Sequence, residues 1–191
     1  MKMRRKIFTL VAIIFITITA VSLNSCEFFI ESEKAKASME TATNKAIKIQ
    51  KSEAKILVKA SRYSLDIIKL CKIIELEDIA EHVKTTIGEV KNQQLIILQK
   101  YDKVAAENII SIPKYSDLEY REVKRAIDAD GLGVHLELLN EKISSQKKLV
   151  KKLSDKTSNA DFKALALHTN LILEKGIDKI DETLETIKTD S

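Results

Sequence analysis

Apolar residues along this chain recur at intervals of three and four. The first run places Ile49, Ile56, Ala60, Tyr63, Ile67, Leu70 and Ile74 in register, with Glu53 as its one polar break. Such spacing lines one face of a helix and turns it toward a core. A second run repeats it with Ile79, Val83, Ile87, Val90, Ile97, Tyr101 and Val104, interrupted by Gln94. Pro113 then closes the segment, because proline cannot donate to a continuing helix. Ser116 or Asp117 is placed to cap a shorter helix reaching about Asp128, and Asp130-Gly131-Leu132-Gly133 breaks it. A further run carries Leu136, Leu139, Ile143, Val150 and Leu153 with Gln146 in the stripe, and a turn follows over Asp155 to Asn159. Phe162, Leu165, Leu173, Ile180, Leu184 and Ile187 mark the last helix. Four glycines and one proline are too little punctuation for a β protein. The pattern predicts an all-α fold: an antiparallel four-helix bundle with a short extra helix in the crossover between the second and third long helices.

Upstream of these helices the pattern changes. Lys2, Arg4, Arg5 and Lys6 precede a run from Ile7 to Val21 that is apolar apart from Thr9, Thr17 and Thr19. The run is short for a membrane-spanning helix and ends at small polar residues, which is the layout of a secretory signal. Leu23-Asn24-Ser25-Cys26 then resembles the lipobox of bacterial lipoproteins, with Asn24 departing from the small residue usual there. That resemblance implies cleavage before Cys26 and lipidation of its thiol. Each buried methylene contributes about 0.8 kcal/mol, so two or more acyl chains hold a protein firmly at a membrane. The expected organisation is a signal peptide over 1–25, a lipidated cysteine and tether over 26–45, and a helical bundle domain over 46–188. An uncleaved N-terminal anchor is the other reading of the same residues. In both, the body is exported and lies in the cell envelope, periplasm-facing or at the cell surface.

Removing residues 1–25 changes the charge. The whole chain has 32 basic and 28 acidic residues, and the four basic residues of the signal leave the remainder balanced. A neutral body gives no electrostatic case for nucleic acid, whose binding depends on cations that neutralise phosphates. With Cys26 lipidated, Cys71 alone remains, so no intramolecular disulfide is expected. Cys71 follows Leu70 on an apolar stripe, where a cysteine behaves as a small hydrophobe.

Catalytic and metal constellations are sparse. A di-iron bundle needs Glu-x-x-His pairs on two helices, because that spacing aims both ligands at one interior ion. Ile79, Leu132 and Leu165 stand three residues before His82, His135 and His168, so no such pair exists. Glu53, His82 and His168 are the weak metal candidates. Asp128 and Asp130 near Gly133 faintly suggest a calcium loop, but Leu132 and Leu139 occupy positions that need oxygen ligands. The acidic run of Glu75, Glu77, Asp78 and Glu81 reads as solvated surface at a helix junction. Glu53, Gln94 and Gln146 fall in register with core residues. They are the candidate interior polar positions, which form a hydrogen-bond network, line a small pocket, or sit at a wet part of the seam.

From about Glu53 to Leu184 the chain resembles DUF4142, a bacterial family of exported proteins of uncharacterised function placed with the ferritin-like bundles. The likeness rests on Ile56-Leu57-Val58-Lys59-Ala60, the Ile-Ser-Ile-Pro run ending at Pro113, the Gly131 turn into a helix, and Phe162-Lys163-Ala164-Leu165-Ala166. The family carries a glutamate in the first helix and histidines in the later ones, at positions held here by Ile67, Val90, Gln146 and Gly176. The resemblance therefore implies the family's fold without its polar cluster. The expected function is a non-enzymatic envelope lipoprotein, bound to the membrane through Cys26 and acting by protein interaction or within the envelope, with no cofactor. A metal-binding or redox ferritin-like protein and a carrier of a small apolar ligand are the alternatives.

Overall fold

A computed structural model describes the backbone of residues 2–116, 118 and 131–190, and the side chains of 36, 38–116, 118 and 131–189. Four long helices account for most of it: α1 (Lys2–Ile74), α2 (Glu81–Glu107), α3 (Leu132–Lys156) and α4 (Ala160–Asp190). The expected short helix after Ser116 lies outside the described residues, as does the side chain of Cys26. The chain divides within α1 into two compact units, Met1–Lys48 and Ile49–Ser191. In the first, the described side chains are exposed, Met39 at 73%. Among the described residues no helix is long and apolar enough to cross a membrane.

The second unit holds the core. The stripes read from the sequence supply it: Leu57, Ile67, Leu70 and Ile74 from α1, Ile87, Val90 and Ile97 from α2, Leu136, Leu139 and Ile143 from α3, and Phe162, Leu173 and Ile180 from α4, all buried. Each such aliphatic or aromatic side chain stabilises the fold by about 1.5 to 3 kcal/mol when taken out of water. Ile49 and Tyr63, expected in the first stripe, are only half-buried, and Ile79 packs from the linker because α2 begins two residues later at Glu81.

The helix ends follow from local chemistry. Asn159 caps α4 by accepting from the Asp161 and Phe162 amides at 2.8 and 3.3 Å, which satisfies donors that have no partner within the helix. The α2 terminus is closed by the Ile110 amide donating to the Ala105 carbonyl at 2.8 Å, with Ile109 left-handed at φ 56°. This is a Schellman arrangement. A β-branched residue is strained there, by about 1 to 2 kcal/mol relative to glycine. Gly131, at φ 79° and ψ −157°, begins α3 in a region essentially reserved for glycine.

Cross-helix contacts set the neighbours. Thr86 meets Thr183, Glu89 meets Lys179, and Gln93 approaches Gly176, so partner numbers fall on α4 as they rise on α2. The same holds between α3 and α4, where Asn140 donates to Asp181 at 2.6 Å and Lys147 to Glu174 at 2.9 Å. Lys91 of α2 reaches Glu75, just beyond α1, at 2.5 Å.

Candidate functional site

The interior is not uniformly apolar. At mid-height a polar layer takes one side chain from each helix: Ser64, Tyr101, Gln146 and Thr169, all buried. The Gln146 amide Nε2 donates to Ser64 Oγ at 2.7 Å and, at longer range, to the Ala60 carbonyl at 3.4 Å and the Tyr101 hydroxyl at 3.5 Å. Burial pushes the Tyr101 phenol up from its ordinary pKa, against the opposing influence of Gln146 and Thr169. Thr169 Oγ1 acts on the phenol from nearby without meeting any partner at bonding geometry, and Gln146 Oε1 is likewise unpartnered among the described residues. The layer is thus composed of neutral amide and hydroxyl groups. Among the described residues it contains no carboxylate or imidazole to serve as a base, and burial favours the protonated form of its tyrosine.

Two further polar contacts tie α1 to the segments that follow α2 and α3. Thr157 Oγ1 donates to Glu53 Oε1 at 2.5 Å and also accepts from the Asn159 amide at 3.1 Å, which fixes the α3–α4 turn. Ser116 Oγ donates to Asp66 Oδ1 at 2.6 Å while accepting from the Leu118 amide at 3.0 Å, and Lys69 Nζ donates to the Leu118 carbonyl at 2.5 Å. Both α1 carboxylates in this unit are therefore buried and satisfied by hydroxyl donors, as a carboxylate removed from water requires.

The residues singled out by sequence fall in separate places. Glu53, Gln94 and Gln146 are all buried. Gln146 belongs to the mid-layer and Glu53 to the α3–α4 turn. Gln94 lies on α2, with its Oε1 unpartnered among the described residues. His82 and His168 are exposed. His82 lines a surface groove with Thr86, Glu89 and Thr183, whereas His168 adjoins Thr169 in the mid-layer. The distance from His82 to the level of Tyr101 is about 28 Å at 1.5 Å per residue along α2. The three weak metal candidates are not brought together, and among the described residues no cluster of three His, Cys, Asp or Glu has the geometry to hold a metal ion.

Sequence reasoning weighed His135 only as half of a Glu-x-x-His pair and did not place it in the core. Its imidazole is fully buried at the start of α3, with Nδ1 2.9 Å from Glu77 Oε1. The available signal was its place directly before Leu136, four residues ahead of Leu139, which puts it at the margin of the α3 stripe. Cys71 is fully buried, and burial raises its thiol to about 12, with nearby Glu75 adding to the effect. A thiol so placed is a packing residue, since reactivity needs the thiolate.

No family model, no curated protein and no solved structure matches the chain.

Proposed function

We propose that this chain is a bacterial envelope lipoprotein whose helical bundle is non-catalytic and works by protein interaction or within the envelope. The observation that carries the reading is the N-terminal order: four cations, a short apolar run, then Leu23-Asn24-Ser25-Cys26. The bundle's chemistry supports the non-catalytic part. Two of its interior polar side chains are engaged in structural contacts, Gln146 with Ser64 and Glu53 with Thr157. Groups used in this way specify the register of packed helices, a role known for buried polar residues in helical assemblies. The falling partner numbers between α2 and α4 and between α3 and α4 support an antiparallel, ferritin-like arrangement. The DUF4142 resemblance points the same way.

Intact-mass measurement on protein extracted from membranes tests the anchor. The expected species begins at Cys26 and carries acyl chains, and Cys26→Ser leaves an unacylated precursor. Unmodified protein with residues 1–25 still attached, recovered in the soluble fraction, would overturn the reading.

A further inference from the structure

Charge is distributed unevenly on the surface of the second unit. A groove of 360 Å³ between α1 and α3 is lined by Lys55, Lys59, Arg62 and Lys142, with Val58 and Tyr63 as its apolar wall and Asp66 its one carboxylate among the described residues. Asp66 is buried and already accepts from Ser116, so it is poorly placed to balance the lysines. Among the described residues no hydrogen bond or ion pair engages Lys55, Lys59 or Lys142, whereas Lys91, Lys114, Lys147 and Lys179 each meet a carboxylate. Lys55 and Lys59 stand one helical turn apart, an arrangement of like charges that costs about 0.2 to 0.5 kcal/mol on a helix. Other exposed lysines, such as Lys51 and Lys151, also lack a described carboxylate partner, but here three such lysines and Arg62 line one concavity.

We propose that this groove binds a phosphate-bearing anion. The three lysines would supply the charge-assisted donors around the phosphate oxygens, with Arg62 as a fourth cation in the lining. The groove is roomier than a bare phosphate needs, and Val58 and Tyr63 offer apolar surface to the rest of the ligand. A phosphate ester carried on an organic group fits this better than the free ion. Two sources share the chemistry: an anionic phospholipid headgroup and a soluble phosphate. The proposal is independent of whether Cys26 is acylated, because it rests on side chains of the second unit alone.

Calorimetric titration of the full chain in nonionic detergent separates these sources. The probes are short-chain phosphatidylglycerol, glycerol 3-phosphate and inorganic phosphate, with short-chain phosphatidylcholine as the zwitterionic control. Binding of the first two above inorganic phosphate assigns an organic phosphate, and phosphatidylglycerol alone assigns a headgroup. Inorganic phosphate binding as tightly as the esters assigns the free ion and still supports the site. The double substitution Lys55→Glu with Lys59→Glu should weaken binding by about tenfold or more, since two attractive contacts become repulsive. Lys163→Glu with Lys188→Glu makes the same net-charge change on exposed positions of α4 and should leave affinity within about twofold, because distant exposed charges are screened by salt. All four lysines are exposed, so both variants are expected to fold, and matching thermal melts check that they do. No binding of any phosphate, equal binding of phosphatidylcholine, or equal weakening by the two double variants overturns the proposal.

Discussion

Helices α1 and α4 both border the same core, yet they use their carboxylates in opposite ways. On α4, Glu174 and Asp181 face neighbouring helices and meet Lys147 and Asn140, while Lys179 meets Glu89. Cations and anions alternate along that seam: the groove between α2 and α4 is lined by Glu89 and Asp178 together with Lys175 and Lys179. On α1, from Ile49 onward, the two carboxylates point inward, Glu53 to Thr157 and Asp66 to Ser116. The lysines left outside have no carboxylate from their own helix. A buried carboxylate bonded to a hydroxyl organises a turn or a crossover, and an exposed one screens a neighbour. One group cannot do both, so a helix that commits its acids to the interior presents a net cationic face.

The strongest test of this contrast removes an interior contact of α1. Gln146→Ala takes the amide from Ser64 and Tyr101 and leaves a cavity among four packed helices. The expected destabilisation is about 3 kcal/mol, combining the cavity with stranded hydroxyls, read as a lower urea midpoint with unchanged slope. Gln146→Met keeps most of the volume, so it isolates the polar part and should lose about half as much. If the methionine variant matches the parent, the mid-layer serves register and contributes no net stability. Thr157→Val is the companion experiment at Glu53. It preserves shape and removes the one side-chain donor to that carboxylate among the described residues, at an expected cost of about 2 kcal/mol; an unchanged urea midpoint would show that water replaces the hydroxyl.

These partners mark the limit of what the sequence alone conveyed. The stripes were legible because burial on a helix has a period, and Glu53, Gln94 and Gln146 stood out as polar residues within that period. What they touch was not legible. Gln146 meets Ser64 at a separation of 82 residues and Glu53 meets Thr157 at 104. Such pairings depend on how each helix is rotated about its axis, which the period of one helix does not fix. The burial of Asp66 and His135 was overlooked for a related reason. Each lies beside a stripe position, Ile67 and Leu136, where a small rotation decides between solvent and core. The cationic groove was hidden by the balanced total, because net charge sums over faces that the fold separates.

Alkaline titration probes the sealed side of α1 at an intermediate scale. Cys71 ionises near 9.0 when unperturbed and near 12 in the fold. The unfolded thiol therefore releases its proton first, and the folded state binds more protons between those values. Stability contributed by this group is fully present below about pH 9 and is lost as pH rises toward 12, by roughly 1 kcal/mol at pH 10. Tyr101, shifted in the same direction, adds to the decline at higher pH. Cys71→Ala should flatten the fall in urea-derived stability between pH 8 and pH 10 relative to the parent. Parallel curves for the two proteins would mean that the thiol is open to water in solution.

The smallest expected effect separates the two surfaces most directly. Lys179 and Glu89 are each 44% exposed, and a pair so open to solvent contributes no more than about 0.5 kcal/mol and weakens with salt. Lys179→Ala should therefore cost a few tenths of a kcal/mol at low ionic strength, a difference that fades when sodium chloride is raised. Lys59→Ala on the cationic face of α1 should show the opposite sign. Removing one of two like charges a turn apart relieves repulsion and raises stability by about 0.2 to 0.5 kcal/mol, again only at low salt. Adding a phosphate that occupies the groove should reverse that order, because the ligand stabilises the parent through Lys59 and the alanine variant loses this gain. Equal losses for both substitutions under all conditions would mean that Lys59 has a carboxylate partner in solution, and the contrast between α1 and α4 would not stand.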